Sequence, residues 1–204
     1  MNRYLTLFLV FSAFILFACD TYKLIKDNNI YKKELSAPIK IEEGSNVVYK
    51  ANVDLSVEKL SGLFVIFNAD SLFKVSFISE MGIKFFDMTI DEEGYEFIYC
   101  MEPLDKRIIL NTFANYFTAL LQNPKYYKGD FYYDKKNTPV YKIKDNSNRR
   151  RYYYFEESIM NKIKTKRYLR NRFSIELFYN DKKHPEKIIF LQNIPDFKIE
   201  MNLI

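Results

Sequence analysis

From Asn46 onward the chain alternates between apolar and polar positions. Val47, Tyr49, Ala51, Val53, Leu55 and Val57 fall on one side of an extended backbone, with Lys50, Asn52, Asp54 and Ser56 on the other. A period of two predicts a half-buried strand. Leu63, Val65 and Phe67 continue the pattern after Ser61-Gly62, and Asn68-Ala69-Asp70-Ser71 predicts a turn. Phe73, Val75 and Phe77 alternate with Lys74 and Ser76 up to a turn at Glu80-Met81-Gly82. Residues 83–90 and 95–101 read as two further strands around Asp91-Glu92-Glu93-Gly94. Short strands joined by tight turns bearing Gly or Asn/Asp predict an antiparallel meander.

The period then changes. In residues 105–123, Ile108, Ile109, Phe113, Tyr116, Phe117, Leu120 and Leu121 recur at spacings of three and four, which predicts one amphipathic helix. Asp105 is the expected N-cap, and Asn123-Pro124 the stop. Residues 124–138 read as a loop. Strands resume at 140–143, 152–156, about 162–169, 173–179, 188–192 and 197–203, the last two forming a hairpin introduced by Pro185.

An antiparallel sheet of this length has an apolar face to cover. One helix of about 19 residues, about 28 Å long, covers only part of it. Curling the sheet into an incomplete barrel, with the helix across it, covers more and leaves a groove lined by Phe, Tyr, Ile, Leu and Val. The expected fold class is therefore mainly β (α+β): a curled antiparallel sheet forming an incomplete β-barrel covered by one amphipathic helix. One domain spans residues 45–204. Strand parity nominates Val65, Phe67, Phe73, Val75 and Phe77, with Phe113 and Phe117 of the helix, as the hydrophobic cavity and its lid.

The first 44 residues lack this pattern. Arg3 precedes an apolar run from Leu5 to Ala18, broken only by Thr6 and Ser12. It is short for a bilayer span and fits the apolar core of a signal peptide, residues 1–18. The run ends in Leu16-Phe17-Ala18-Cys19, which resembles the bacterial lipobox. The resemblance implies cleavage before Cys19, acylation of Cys19 and a stable lipid anchor. Asp20 resembles a signal for inner-membrane retention that does not hold in all bacteria. Residues 19–44 are polar and aperiodic, and read as a lipidated tether.

The order of elements resembles the Lol-type lipoprotein carriers and receptors, most of all the outer-membrane receptor. The cues are a strand opening near Ser61-Gly62, a strand pair turning at Met81-Gly82, an apolar helix, and a terminal hairpin after Pro185. The resemblance implies a barrel cavity for acyl chains of other lipoproteins and a membrane-insertion tip at Met81. It also implies a periplasm-facing monomer in the cell envelope, on the outer membrane for preference, with a role in lipoprotein localisation.

Composition narrows the chemistry. The 204 residues contain one His and two Cys, too few for a multi-His or four-thiolate metal site. Neither GxGxxG nor GxxxxGK[ST] occurs, so no phosphate-cradling loop is present. With Cys19 lipidated, Cys100 is left as a lone thiol on an aromatic strand, read as structural. His184, in Asp181-Lys-Lys-His-Pro185, reads as a surface residue rather than a general base. No catalytic residue, cofactor or metal is therefore expected.

Charge is uneven: residues 149–187 hold 12 basic and 5 acidic side chains, interleaved with Tyr152, Tyr153, Tyr154 and Tyr168. Export argues against a nucleic-acid partner. Two readings remain, a solvated outer strand face and a surface that docks anionic headgroups or a protein partner. On sequence alone the solvated face is favoured, and the docking protein with a filled core is the alternative function.

Overall fold

The computed structural model describes residues 23–24, 35–55, 58–70, 72–124, 127–144, 150–167, 170–180, 184–193 and 196–204. The expected leader 1–18, Cys19, Asp20, Val57, Arg149, Tyr168, Lys182 and Lys183 lie outside the described residues. The strands are β1 (Lys23–Leu24), β2 (Asn46–Asp54), β3 (Lys59–Ala69), β4 (Leu72–Ile78), β5 (Lys84–Ile90) and β6 (Tyr95–Cys100). After the helix α1 (Arg107–Leu121) come β7 (Gly129–Tyr133), β8 (Pro139–Lys144), β9 (Arg150–Glu156) and β10 (Ile159–Arg167). The chain closes with β11 (Arg170–Phe178), β12 (Lys187–Asn193) and β13 (Asp196–Leu203).

Two meanders, β2–β6 and β7–β13, share one seam. The last strand, β13, pairs antiparallel with β2, Met201 opposite Ala51 and Leu203 opposite Tyr49. The resulting 13-stranded sheet runs in the order β1-β7-β8-β9-β10-β11-β12-β13-β2-β3-β4-β5-β6. It begins and ends on free-standing edges, β1 and β6, so it curls without closing. The expected class, a curled antiparallel sheet with one helix, is the fold observed.

Helix α1 fills the concave face with aromatic rings. Phe113 lies 4.7 Å from Phe86 of β5 and 5.2 Å from Phe197 of β13, centroid to centroid. Phe117 meets Phe64 of β3 at 5.0 Å, and Tyr116 meets Phe190 of β12 at 4.6 Å. Phe64 and Phe77 stack at 4.4 Å beneath them. One helix thus clamps both meanders at the seam, through edge and tilted ring contacts that add to the burial itself.

Several boundaries differ from the sequence expectation. Helix α1 starts at Arg107 with Lys106 as N-cap, because Asp105 instead closes a preceding 3-10 turn, Glu102–Leu104. Its C-cap is Gln122. The first strand stops at Asp54, which faces Lys59 across the β2–β3 turn. The expected loop 124–138 contains β7, whose inward pair, Phe131 and Tyr133, gives too short a period to read.

The folded domain begins earlier than the expected residue 45. Residues 35–44 belong to the domain: Leu35 and Ile39 are buried. The Gly44 N–H donates to the Asn68 carbonyl at 2.9 Å, and the Asn68 amide side chain donates to the Ile41 carbonyl at 2.8 Å. Pro38 and the mixed polarity of the segment hide a docking strip whose apolar residues are too few to show a period. Further upstream, β1 pairs with β7, Leu24 opposite Tyr132.

Candidate functional site: an acidic-rimmed apolar groove

Segment 37–43 does not seal the mouth of the half-barrel. Between it, the end of α1 and the β3–β4 and β5–β6 turns lies a groove of about 760 Å³. Its apolar lining comes from Ala37, Ile39, Ile41, Phe73, Leu121 and Tyr127. Glu42, Glu43, Asp70, Asp91 and Glu92 stand around it against one cation, Lys40.

Main-chain clamps hold these walls. The Ile39 N–H donates to the Leu120 carbonyl at 3.1 Å, satisfying one of the acceptors that the last turn of a helix leaves unpaired. The Gln122 side chain also bridges the walls: its Nε2 donates to the Asp91 carbonyl at 2.5 Å, and Tyr127 Oη donates to its Oε1 at 2.5 Å. Tyr141 Oη donates to the Tyr127 carbonyl at 2.9 Å. At the β3–β4 turn Asp70 adopts φ 51°, a left-handed conformation that Asp tolerates better than most residues. Asp91 Oδ1 accepts the Glu93 and Gly94 N–H groups at 2.8 Å, which pins the β5–β6 turn.

The sequence-predicted cavity residues divide three ways. Phe73 lines the groove. Val75, Phe77, Phe113 and Phe117 point to the concave side but are fully buried in the ring cluster, so they form packed core rather than open lining. Val65 and Phe67 are on the wrong face: Tyr49 pairs with Phe64 and Val47 with Ile66, which turns the even positions of β3 inward. The inward parity returns to odd on β4, where Phe64 pairs with Phe77. Sequence reasoning missed Ile39, Ile41, Leu121 and Tyr127; the isolated apolar pair Ile39 and Ile41 was the available signal.

Met81 sits at the tip of the β4–β5 turn, 90% exposed, with half-exposed Ile83 beside it. Gly82 takes φ 82°, and its N–H donates to the Ser79 carbonyl at 2.9 Å. Cys100 is half-buried at the end of β6, its thiol 3.6 Å from the Met101 carbonyl. Burial, with Asp105 nearby, pushes its pKa up to about 11, so it stays protonated at neutral pH and is a poor nucleophile. His184 is half-buried rather than on the surface, held beside Pro185, whose carbonyl accepts Tyr49 Oη at 3.1 Å. Among the described residues, no three His, Cys, Asp or Glu side chains converge as a metal site, and no helix is long and apolar enough to cross a membrane.

The architecture is therefore an open half-barrel with an apolar groove at its mouth. No protein-family model and no curated protein matches the sequence. Solved structures do match. A LolA superfamily protein from Nitrosomonas europaea superposes with TM-score 0.56 at 8% identity, covering 88% of this chain and 92% of that one. A domain named for outer-membrane lipoprotein sorting, from Vibrio parahaemolyticus, gives TM-score 0.47 at 10% identity over 85% and 87%. A DUF1329 family protein from Desulfovibrio piger gives 0.46 at 6% identity over 86% and 87%. The fold is thus the open Lol-type half-barrel; at such identities the likeness is one of fold.

Proposed function

We propose that the protein is a lipid-anchored component of the bacterial cell envelope. In this reading it binds an acyl chain or a similar hydrophobic ligand in the groove between residues 37–43 and the end of α1. The carrying observation is the groove itself, about 760 Å³ with an apolar lining, at a mouth of the ring-filled half-barrel. Apolar burial is the driving force, about 25 cal/mol per Å² before ordering costs. The acidic rim disfavours an anionic headgroup, so a ligand with a neutral or cationic polar end fits.

The Lol-type fold supports a carrier or receptor role in lipoprotein localisation rather than a catalytic one. In this reading Cys19 carries the acyl anchor, Met81 inserts into the bilayer, and the monomer faces the periplasm from the outer membrane.

Two measurements test the reading. Metabolic labelling with palmitate marks the wild-type chain and leaves Cys19→Ser unlabelled; equal labelling of both removes the anchor. Native mass spectrometry of residues 20–204, purified without detergent, carries adducts of lipid mass that Phe73→Trp abolishes. A clean mass with no uptake of an added acylated peptide removes the ligand.

A further inference from the structure

The outer face of β7–β10 is not a plain solvated surface. Tyr152 and Tyr154, on the side of β9 away from the helix, are 4% and 9% exposed and form with Val140 a second apolar cluster. Lysines roof it. Lys142 Nζ lies 5.3 Å from the Tyr132 ring centre and 5.9 Å from that of Tyr152. Lys166 Nζ lies 5.4 Å from Tyr152, and Lys164 Nζ lies 5.1 Å from Tyr154. The half-buried ammonium groups of Lys142, Lys164 and Lys166 thus lie over tyrosine rings, cation against π face, on the outer side of the sheet.

Register lines up the cations. Lys142, Tyr152 and Lys164 lie directly across from one another on β8, β9 and β10, and so do Lys144, Arg150 and Lys166 one step further along. Like charges directly opposite on a sheet oppose its pairing, so such a row gains when an anion covers it. Burial and neighbouring cations, Arg150 for Lys142 and Lys162 and Lys166 for Lys164, lower the pKa of both lysines. Among the described residues the acids beside this face are Glu176, which pairs with Lys162 at 2.6 Å and also acts on Lys164, Asp134, which acts on Lys164, and Asp130, which lies opposite Lys142 in the register.

The chain's own path places this face. Strand β1 is hydrogen-bonded along β7, next to Tyr132 and Tyr133. Only residues 20–22 separate it from Cys19, so the anchor reaches at most about 14 Å from the β1 edge. We propose that the Tyr–Lys face of β7–β10 lies on an anionic phospholipid surface, with β1 holding the lipid anchor at its edge so that the domain sits on the membrane in one orientation. This rests on the acylation of Cys19 proposed above, which the experiment reads separately.

The test uses the full chain, processed and lipidated in a bacterial host and reconstituted on phosphatidylcholine vesicles or on vesicles containing phosphatidylglycerol. Flotation with phosphatidylcholine vesicles reads the anchor alone; failure to float there removes the anchor and with it the role of β1. Lysine acetylation mapped by mass spectrometry reads the face. Lys142, Lys164 and Lys166 should react several-fold more slowly on phosphatidylglycerol vesicles than on phosphatidylcholine, with Lys50, Lys59 and Lys198 unchanged, and high salt should erase the difference. In the double variant Lys142→Glu/Lys164→Glu, shown to be folded by cooperative thermal unfolding, Lys166 should lose its protection. Equal reactivity on the two vesicles, protection of all lysines alike, or protection that needs an added envelope protein overturns the assignment.

Discussion

Ile39 and Leu120 are joined by a main-chain hydrogen bond of 3.1 Å, from the Ile39 N–H to the Leu120 carbonyl. It fastens a segment that precedes the first long strand to the last turn of the only long helix described, and both ends of it are buried. Segment 35–44 is therefore part of the folding unit. Ile39→Asp should lower unfolding stability by about 3 kcal/mol or more, since it places an unpaired charge in apolar core. Urea unfolding followed by tyrosine fluorescence measures it. An unchanged midpoint would mean the segment is a detachable strap.

Core and groove respond differently to substitution. Phe113 is fully enclosed by Phe64, Phe86 and Phe197, so Phe113→Asp should abolish cooperative unfolding. Phe73 is partly exposed at the groove, so Phe73→Trp should leave the urea midpoint within about 1 kcal/mol of wild type while blocking lipid uptake. Native mass spectra of the two variants separate these roles. A folded Phe113→Asp protein with altered uptake would show that α1 moves as a lid.

Of the five glycines, Gly62 leaves the least room for a side chain. A Cβ built there lies 2.1 Å from the Ile78 carbonyl oxygen and 3.1 Å from the Phe77 ring. Neither the β4 backbone nor the enclosed ring can retreat far, so Gly62→Ala should cost about 1–3 kcal/mol despite the better strand propensity of Ala. A thermal midpoint equal to wild type would show that β4 shifts freely.

Buried phenols set an alkaline limit. Burial raises the pKa of Tyr49, Tyr116 and Tyr179 above the ordinary 10.0. The folded state keeps these protons that the unfolded chain releases, so stability falls as pH rises past about 10, by about 1.4 kcal/mol per pH unit for each tyrosine. Tyr49→Phe should lose about 1 kcal/mol at neutral pH, with its hydrogen bond to Pro185, and show a slope shallower by one proton above pH 10. Urea midpoints across that pH range give both numbers.

Much of this architecture is local and so was legible in the amino-acid order. Alternation in 47–55 and 72–78, the three-and-four spacing of 108–121 and the turns at Asp70 and Gly82 each depend on neighbours a few residues apart. Those neighbours are written in the chain, and the mainly β class with one covering helix follows from them. The seam of β13 on β2, the docking of Ile39 on α1, and the inward parity of β3 depend instead on partners far away in sequence. Val65 and Phe67 illustrate the reason: alternation says that two faces exist, and only the hydrogen-bonded register with β2 decides which is inside. The groove is a further step removed, because it is space left over once rings from both meanders have packed around Phe113 and Phe117. Leftover volume belongs to the tertiary packing and to no single segment.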